Sequence, residues 1–384
     1  MRIGIDIRWI FEELSGVGVY TRELLRHLLC LDTENEYVLF FDNATVRDRT
    51  LGELDAGDNI TTVMLPYGLF SPLNQIACPV ALRRAGLDVF HSTNYMMPIY
   101  GFPAGRRGRI ACVVTVHDVI PLMFPDYTPR SRKNRLFAVY RHIMREVGRR
   151  ADIIITDSES ARNDVIRELA IPASRAPQVR AVYCGVADHY QPAATANRDP
   201  DKTARILFVG RPDPYKNLEG LVRAFAKARN AGARPMRLVV AGSPDARYPE
   251  APRLALELGV ADAVEWTGYL SDKDLVATYQ TADLLVLPSR CEGFGLPAIE
   301  AMACGTPVIC STAGPLPEVT GDAALHVDPD DIDGLAGAIQ RVLENSALAD
   351  TLRAKGVARA ARYTWENAAR TTLEIYEDAN RFAK

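Results

Sequence analysis

Residues 288–310 read PSRCEGFGLPAIEAMACGTPVIC, and their reading decides the fold of the second half of the chain. Just before them, Asp283 to Leu287 (DLLVL) is an apolar run that predicts a buried parallel strand. Gly293 and Gly295 open a turn, and Pro297 stands where a helix begins, a position that suits proline. Leu296, Ile299 and Ala303 give that helix one apolar face, and Gly305-Thr306-Pro307 ends it. A second buried strand is predicted from Val308 to Cys310. Strand, glycine turn and helix start together make an anion site, because the first N–H groups of the helix point outward and its dipole favours negative charge. Glu292 and Glu300 bracket the turn. Carboxylates repel phosphate, so their natural partners here are hydroxyl groups, to which they bond strongly. Phosphates in the middle with diols on both sides describe a nucleotide sugar. Taken singly, each glutamate is equally well a capping or solvated side chain.

A chain of 384 residues has room for two domains. With 48% hydrophobic and 24% charged residues it can build ordinary globular cores, and a net charge of −3 argues against bulk nucleic-acid binding. Its seven cysteines are scattered, odd in number and without CxxC or zinc spacing, which fits a reducing cytoplasm and gives no expectation of a metal site. The opening MRIGIDIRWI lacks the apolar core of a signal peptide. No run of about 18 apolar residues predicts a membrane span.

Taken in order, Met1 to Arg8 alternates like a strand with a charge inside it, SGVGVY at 15–20 reads as a glycine loop, and an amphipathic helix runs to Leu31. Gly16 and Gly18 suggest a dinucleotide fingerprint, but its third glycine is missing. Strands follow at 36–42, 60–65 and 88–93, and the apolar loop 94–100 (NYMMPIY) either packs as core or lines a groove. The buried strand 110–118 (IACVVTVHD) ends in His117 and Asp118. Ligands of open α/β sheets sit beyond the carboxyl ends of strands, which makes His117 a catalytic candidate, although a lone histidine is more often structural. A strand at 152–157, a helix capped by Ser158 and a segment at 179–184 close this half, and Gln191 to Thr203 (QPAATANRDPDKT) reads as a linker.

The second half restarts with the strand Arg205 to Val209, the loop GRPDPYKN at 210–217 and a helix from Leu218. Arg211 and Lys216 either converge on one diphosphate or are two solvated cations. Strands at 237–241 and 263–266 and a helix at 271–281 lead to the central stretch; a strand at 324–327 and three helices follow. The alternation in both halves predicts an α/β protein of two doubly wound, Rossmann-like domains facing a cleft: 1–190, a linker 191–203, and 204–364.

The run CEGFGLPAIEAMACGTPVI at 291–309 resembles the Glu-x7-Glu signature of retaining glycosyltransferases of family 4, which have the GT-B fold. That resemblance implies that Glu292 contacts the transferred sugar together with Gly293 and Phe294, that Gly295 and Leu296 meet the diphosphate, and that Glu300 holds the ribose. VTVHDVIPLMFPDY at 114–127 is similar to the family segment carrying an active-site histidine, here His117. By the same resemblance Arg211 and Lys216 bind the diphosphate, Gly16 and Gly18 approach it, Tyr269 and Leu270 border the nucleobase, and the final helix at 365–384 crosses back onto the first domain. The implied reaction is metal-independent, uses no cofactor and keeps the anomeric configuration through a front-face route. The segment around His117 is most similar to mannosyltransferases of bacterial polysaccharide synthesis, which favours GDP-mannose as donor and a glycan or lipid-linked saccharide as acceptor. A GT-B nucleotide-sugar 2-epimerase and a non-catalytic nucleotide-sugar sensor are the alternatives. Asp199-Pro200-Asp201 and Asp328-Pro329-Asp330 match the Asp-x-Asp pattern of metal-dependent transferases, a pattern too common to weigh much.

One further feature concerns a membrane surface. From Arg106 to Arg150 there are eleven Lys and Arg against three acidic residues, 11 − 3 = +8. Residues 130–150 are helical in period, with Leu136, Val139, Tyr140, Ile143 and Val147 near one stripe. The expectation is peripheral docking on anionic lipid at the inner face of the cytoplasmic membrane, against the plainer reading of a solvated basic face.

Overall fold

The computed structural model describes all residues except 55–58, 106–107, 126–136, 194–202, 233 and 384, and the backbone only of 382–383. Most of the expected linker, together with Arg130, Arg132, Lys133, Arg135 and Leu136, therefore lies outside the described residues. The chain divides into two compact units, one holding 1–123, 137–185 and 364–383 and the other 124–125 and 186–363.

The first unit is built on seven parallel strands: β1 (Arg2–Asp6), β2 (Glu36–Phe41), β3 (Ile60–Met64), β4 (Val89–Ser92), β5 (Ala111–Thr115), β6 (Ile153–Thr156) and β7 (Val179–Ala181). Their order is β3-β2-β1-β4-β5-β6-β7. The second unit repeats the plan with β8 (Ala204–Val209), β9 (Met236–Ala241), β10 (Val264–Gly268), β11 (Leu284–Leu287), β12 (Val308–Ser311) and β13 (Ala324–Val327), ordered β10-β9-β8-β11-β12-β13. Both are doubly wound sheets whose order reverses at one switch point, between β1 and β4 and between β8 and β11. Central strands β4, β5, β6, β11 and β12 are buried along their whole length, as sheets covered by helices on both faces require. Side-chain caps at Ser15, Asn43, Ser158, Ser271, Asp331 and Asn345 start six of the helices, each worth about 1 kcal/mol. The last helix, Trp365–Ala383, packs on the Gly16–Leu31 helix and on β4 and β5. Gly185 permits this approach, since a Cβ there would lie 2.1 Å from the Trp365 amide nitrogen.

Several local readings are corrected. The first strand ends at Asp6, not Arg8. Arg8 folds back, donating from Nε and Nη2 to Asp6 at 2.8 and 2.7 Å and from Nη2 to Asn74 Oδ1 at 2.8 Å. Gly16 and Gly18 form the first helical turn rather than a loop before it. The loop 94–100 is mostly core, with Met97 and Ile99 buried and Tyr100 exposed. Within 130–150 the described helix is Phe137–Arg150, and Val139 is exposed, about 100° off the stripe of Tyr140, Ile143 and Val147; Met144 takes its place inside. Two of that helix's arginines are structural: Arg149 and Arg150 donate to Glu146, and Arg150 also donates to the Phe102 carbonyl.

Both side chains of the Asp6–Arg8 pair are 0% exposed. Removing one partner of such a pair leaves an uncompensated buried charge. Asp6→Ala should cost the first unit about 3–5 kcal/mol in urea unfolding followed by tryptophan fluorescence; a loss below about 1 kcal/mol would show that solvent reaches Arg8.

Candidate active site

The second unit's switch point places the carboxyl ends of β8 and β11 side by side. From β8 the chain runs through 210–217, with a 3₁₀ turn at Pro214–Lys216 and Asn217 left-handed at φ 56°. From β11 it runs through 288–295 into the Leu296–Ala303 helix. Gly295 turns that corner at φ +99°, and a Cβ there would sit 2.6 Å from the Leu316 side chain.

Asn217 ties the two loops together. Its Nδ2 donates to the carbonyls of Pro288 (3.2 Å) and Pro329 (2.7 Å), while its Oδ1 accepts from Arg290 (2.7 Å). The Arg290 amide donates to the Tyr215 carbonyl at 2.7 Å. Held this way, Lys216 Nζ reaches both oxygens of Glu292, at 2.7 and 2.8 Å. Ser289 Oγ donates to Glu292 Oε1 at 2.7 Å, and Ser311 Oγ fixes the Ser289 carbonyl at 2.5 Å. Glu292 is thus a buried carboxylate with a cation and a hydroxyl already on it. Arg211 stands apart: it is exposed and forms a two-pronged pair with Asp213 at 2.9 Å. Phe294 turns its ring into the interior against Tyr363, so only backbone at 293–295 is available to a ligand. Leu270 packs on the core beside Tyr279, whereas Tyr269 is about half exposed.

Glu300 has a different environment. Its Oε2 accepts from Tyr279 Oη at 2.8 Å. Burial raises its pKa, the Tyr279 hydroxyl opposes this, nearby Asp272 adds to it and the Tyr190 hydroxyl opposes it again; the net is a carboxyl pushed up to about 7.

In the first unit three neighbouring strand ends converge on His117. Nδ1 meets Asp157 Oδ2 at 2.8 Å just past β6, and Nε2 meets the Thr93 carbonyl at 3.0 Å just past β4. Both partners are acceptors, and the two ring nitrogens satisfy them together only when the ring is protonated. Burial works against that charge, but Asp157, Asp118 and the Thr93 carbonyl outweigh it and raise the His117 pKa. Tyr20 packs edge-on at 4.6 Å, and its hydroxyl lies 3.1 Å from Thr115 Oγ1. Gly18 donates its amide to Ser15 Oγ as part of the helix cap, which removes that amide from any anion site at Gly16–Gly18.

Lys216 and Glu292 are therefore brought into direct contact, whereas Arg211, Glu300 and Leu270 are each engaged with other partners and Tyr269 is half exposed. Sequence reasoning missed Ser289, Asn217, Tyr279, Thr93 and Asp157. Asp157 alone carried a usable signal, a polar residue closing a buried strand as His117 does.

Residues 14–189 match the family described as Glycosyltransferase Family 4, and residues 193–359 match Glycosyl transferases group 1. D-inositol 3-phosphate glycosyltransferase from Acidothermus cellulolyticus is 31% identical over 96% of this chain and 86% of its own. The chain belongs to this glycosyltransferase family. O-antigen chain mannosyltransferase B from Escherichia coli is 28% identical over 95% of this chain and 96% of its own. Sucrose-phosphate synthase from Thermosynechococcus elongatus has the same fold, with a TM-score of 0.76 over 98% of each chain at 24% identity. The two doubly wound sheets are those of a GT-B transferase.

The raised Glu300 pKa has a testable consequence. If Glu300 holds a ribose, as the family resemblance implies, only its ionised carboxylate accepts from two hydroxyls, and at pH 6 about a tenth of a group with pKa 7 is ionised. Nucleoside diphosphate affinity should therefore rise roughly tenfold from pH 6 to pH 8 in wild type relative to Glu300→Gln, measured by calorimetry at each pH. The same shift makes the unfavourable contribution to folding grow above the ordinary carboxyl range and level off above about pH 7, so Glu300→Gln should gain relative stability at pH 8. Parallel pH profiles for the two proteins would contradict both.

Proposed function

We propose that the chain is a retaining, metal-independent hexosyltransferase that moves mannose from GDP-mannose to a glycan or lipid-linked saccharide in cell-surface polysaccharide synthesis. The observation that carries the reading is the Lys216–Glu292–Ser289 cluster at the second switch point. A diphosphate arriving beside the Leu296–Ala303 helix start competes for Lys216. As the lysine turns to phosphate, Glu292 is released to accept a sugar hydroxyl, with Ser289 still orienting it. Donor binding and sugar positioning are then one event. Arg211, exposed and paired with Asp213, swings to the diphosphate in the same step, and Glu300 receives the ribose. Mannose is favoured because the similar Escherichia coli protein is named a mannosyltransferase.

Chemistry follows from which groups hold protons. With an acceptor at each nitrogen, a protonated His117 has no lone pair for an acceptor proton. The proton therefore passes from the acceptor hydroxyl to the departing phosphate oxygen while the bond from C1 to that oxygen breaks and the bond from C1 to the acceptor forms on the same face. His117, active-site by the family resemblance, is in that protonated state not the base. The epimerase and sensor readings have no observation in their favour. Among the described residues no helix is long and apolar enough to cross a membrane, and the lipid-linked acceptor is reached by peripheral contact with an anionic membrane at its cytoplasmic face.

The direct test is transfer from a panel of nucleotide sugars in excess EDTA. GDP-mannose should be turned over with incorporation into acceptor and retention at the anomeric carbon. Another preferred donor would overturn the mannose assignment, and a strict requirement for manganese or magnesium would overturn the cationic diphosphate site. Lys216→Ala should remove a charge-assisted bond of roughly 1.5–3 kcal/mol, seen as a ten- to hundredfold loss in kcat/KM and as weaker nucleoside diphosphate binding. Unchanged binding would return Lys216 to a purely structural partner of Glu292.

A further inference from the structure

A helical stretch of the first unit is apolar on the side that faces solvent. Leu73–Ile76 and Cys78–Arg84 are joined through Ala77, itself right-handed helical, so 73–84 is close to one continuous helix. Its inner side is fully used: Asn74 accepts from Arg8, Gln75 bonds the Met97 carbonyl and the Ile99 amide, and Cys78 and Leu82 join the core. At about 100° per residue, Leu73, Ile76, Val80, Arg83 and Arg84 fall within about 100° of one another on the opposite side. Leu73, Ile76 and Val80 are 51%, 69% and 37% exposed, and both arginines are exposed. Beside them lie Tyr100, 73% exposed on a short turn that touches both helical segments, and Phe70, 59% exposed against Trp9. From Pro66 to Leu87 the chain has no acidic residue.

An outward apolar face of this size on a helix already anchored from behind has no role in folding. Apolar side chains in the first two turns and arginines in the last match the boundary between acyl chains and anionic headgroups. Two copies meeting through this face would oppose arginines with no carboxylate between them, which disfavours self-association. We infer that the 73–84 helix, with Phe70 and Tyr100, is the face that docks the protein on an anionic bilayer, by shallow insertion of Leu73, Ile76 and Tyr100 beneath headgroups held by Arg83 and Arg84. The inference rests on the peripheral membrane reading above and replaces the 130–150 segment as its main contact.

The test is sedimentation of the full chain with phosphatidylglycerol-containing and pure phosphatidylcholine vesicles. Wild type should bind the anionic vesicles, and Leu73→Ser/Ile76→Ser/Tyr100→Ser should bind them at least tenfold more weakly with an unchanged melting temperature. Arg83→Gln/Arg84→Gln should lose the preference for anionic lipid. An environment-sensitive fluorophore on Ile76→Cys should shift to the blue on adding anionic vesicles. Equal binding by wild type and the triple variant, or no spectral shift, overturns this face while leaving peripheral docking intact. Absence of wild-type binding removes the membrane reading and this inference with it. A wild-type dimer dissolved by the triple variant, without vesicle binding, makes the face a contact between copies and likewise overturns it.

Discussion

A parallel sheet cannot be joined by hairpins. Each strand must be reached by a crossover, so the loops leaving every strand collect at one end of the sheet, and at a switch point two of them part in opposite directions. The functional geography of both units follows from that constraint. In the second unit the loops after β8 and β11 are the diverging pair, and they carry Lys216 and Glu292 to each other. In the first unit the ends of β4, β5 and β6 lie in consecutive positions, and they bring Thr93, His117 and Asp157 together. Neither cluster is local in sequence; both are local in the sheet.

The Lys216–Glu292 pair is an unusual expense for a surface loop. Its side chains are only 14% and 8% exposed, so both charges are largely stripped of water, and a well-packed apolar pair could do as well for stability. The surrounding hydrogen bonds, from Ser289 to Glu292 and from Asn217 across to Pro288 and Pro329, hold the charges in one geometry. A pair retained at such a position is readily understood if one member has a second partner of higher charge, as a diphosphate is.

Much of the fold was legible because its signals are strong and repeated. Apolar runs such as DLLVL and VVTV, separated by capped amphipathic helices, leave little alternative to two parallel sheets. The corrections came where one side chain overrode a pattern. Arg8 shortened β1 by folding onto Asp6, and Ser15 drew Gly16 and Gly18 into a helix that glycine composition alone argues against. For the candidate site, residue types and strand-end positions could be read, but their pairings could not. Nothing in a spacing of 76 residues says that Lys216 touches Glu292. Likewise the exposed face of the 73–84 helix is invisible in sequence, where Leu73, Ile76 and Val80 look like any other buried stripe.

The two carboxylates of the Glu-x7-Glu run and the histidine differ in how their protons are held, and the difference is set by neighbours rather than by residue type. Glu292 is held by a lysine ammonium and a serine hydroxyl, Glu300 is buried against the Tyr279 hydroxyl and pushed up to about 7, and His117 is clamped between two acceptors. Of these, Glu300 is the carboxyl pushed into the range where charge changes readily near neutrality. A general base for an acceptor hydroxyl needs a free lone pair and a pKa near the working pH. Neither Glu292, with Lys216 on both oxygens, nor His117, with an acceptor at each nitrogen, offers a free lone pair. Under the proposed reading the departing phosphate is the one group at the reacting carbon that gains basicity as the bond breaks, so the arrangement of protons in the protein itself favours transfer on the front face.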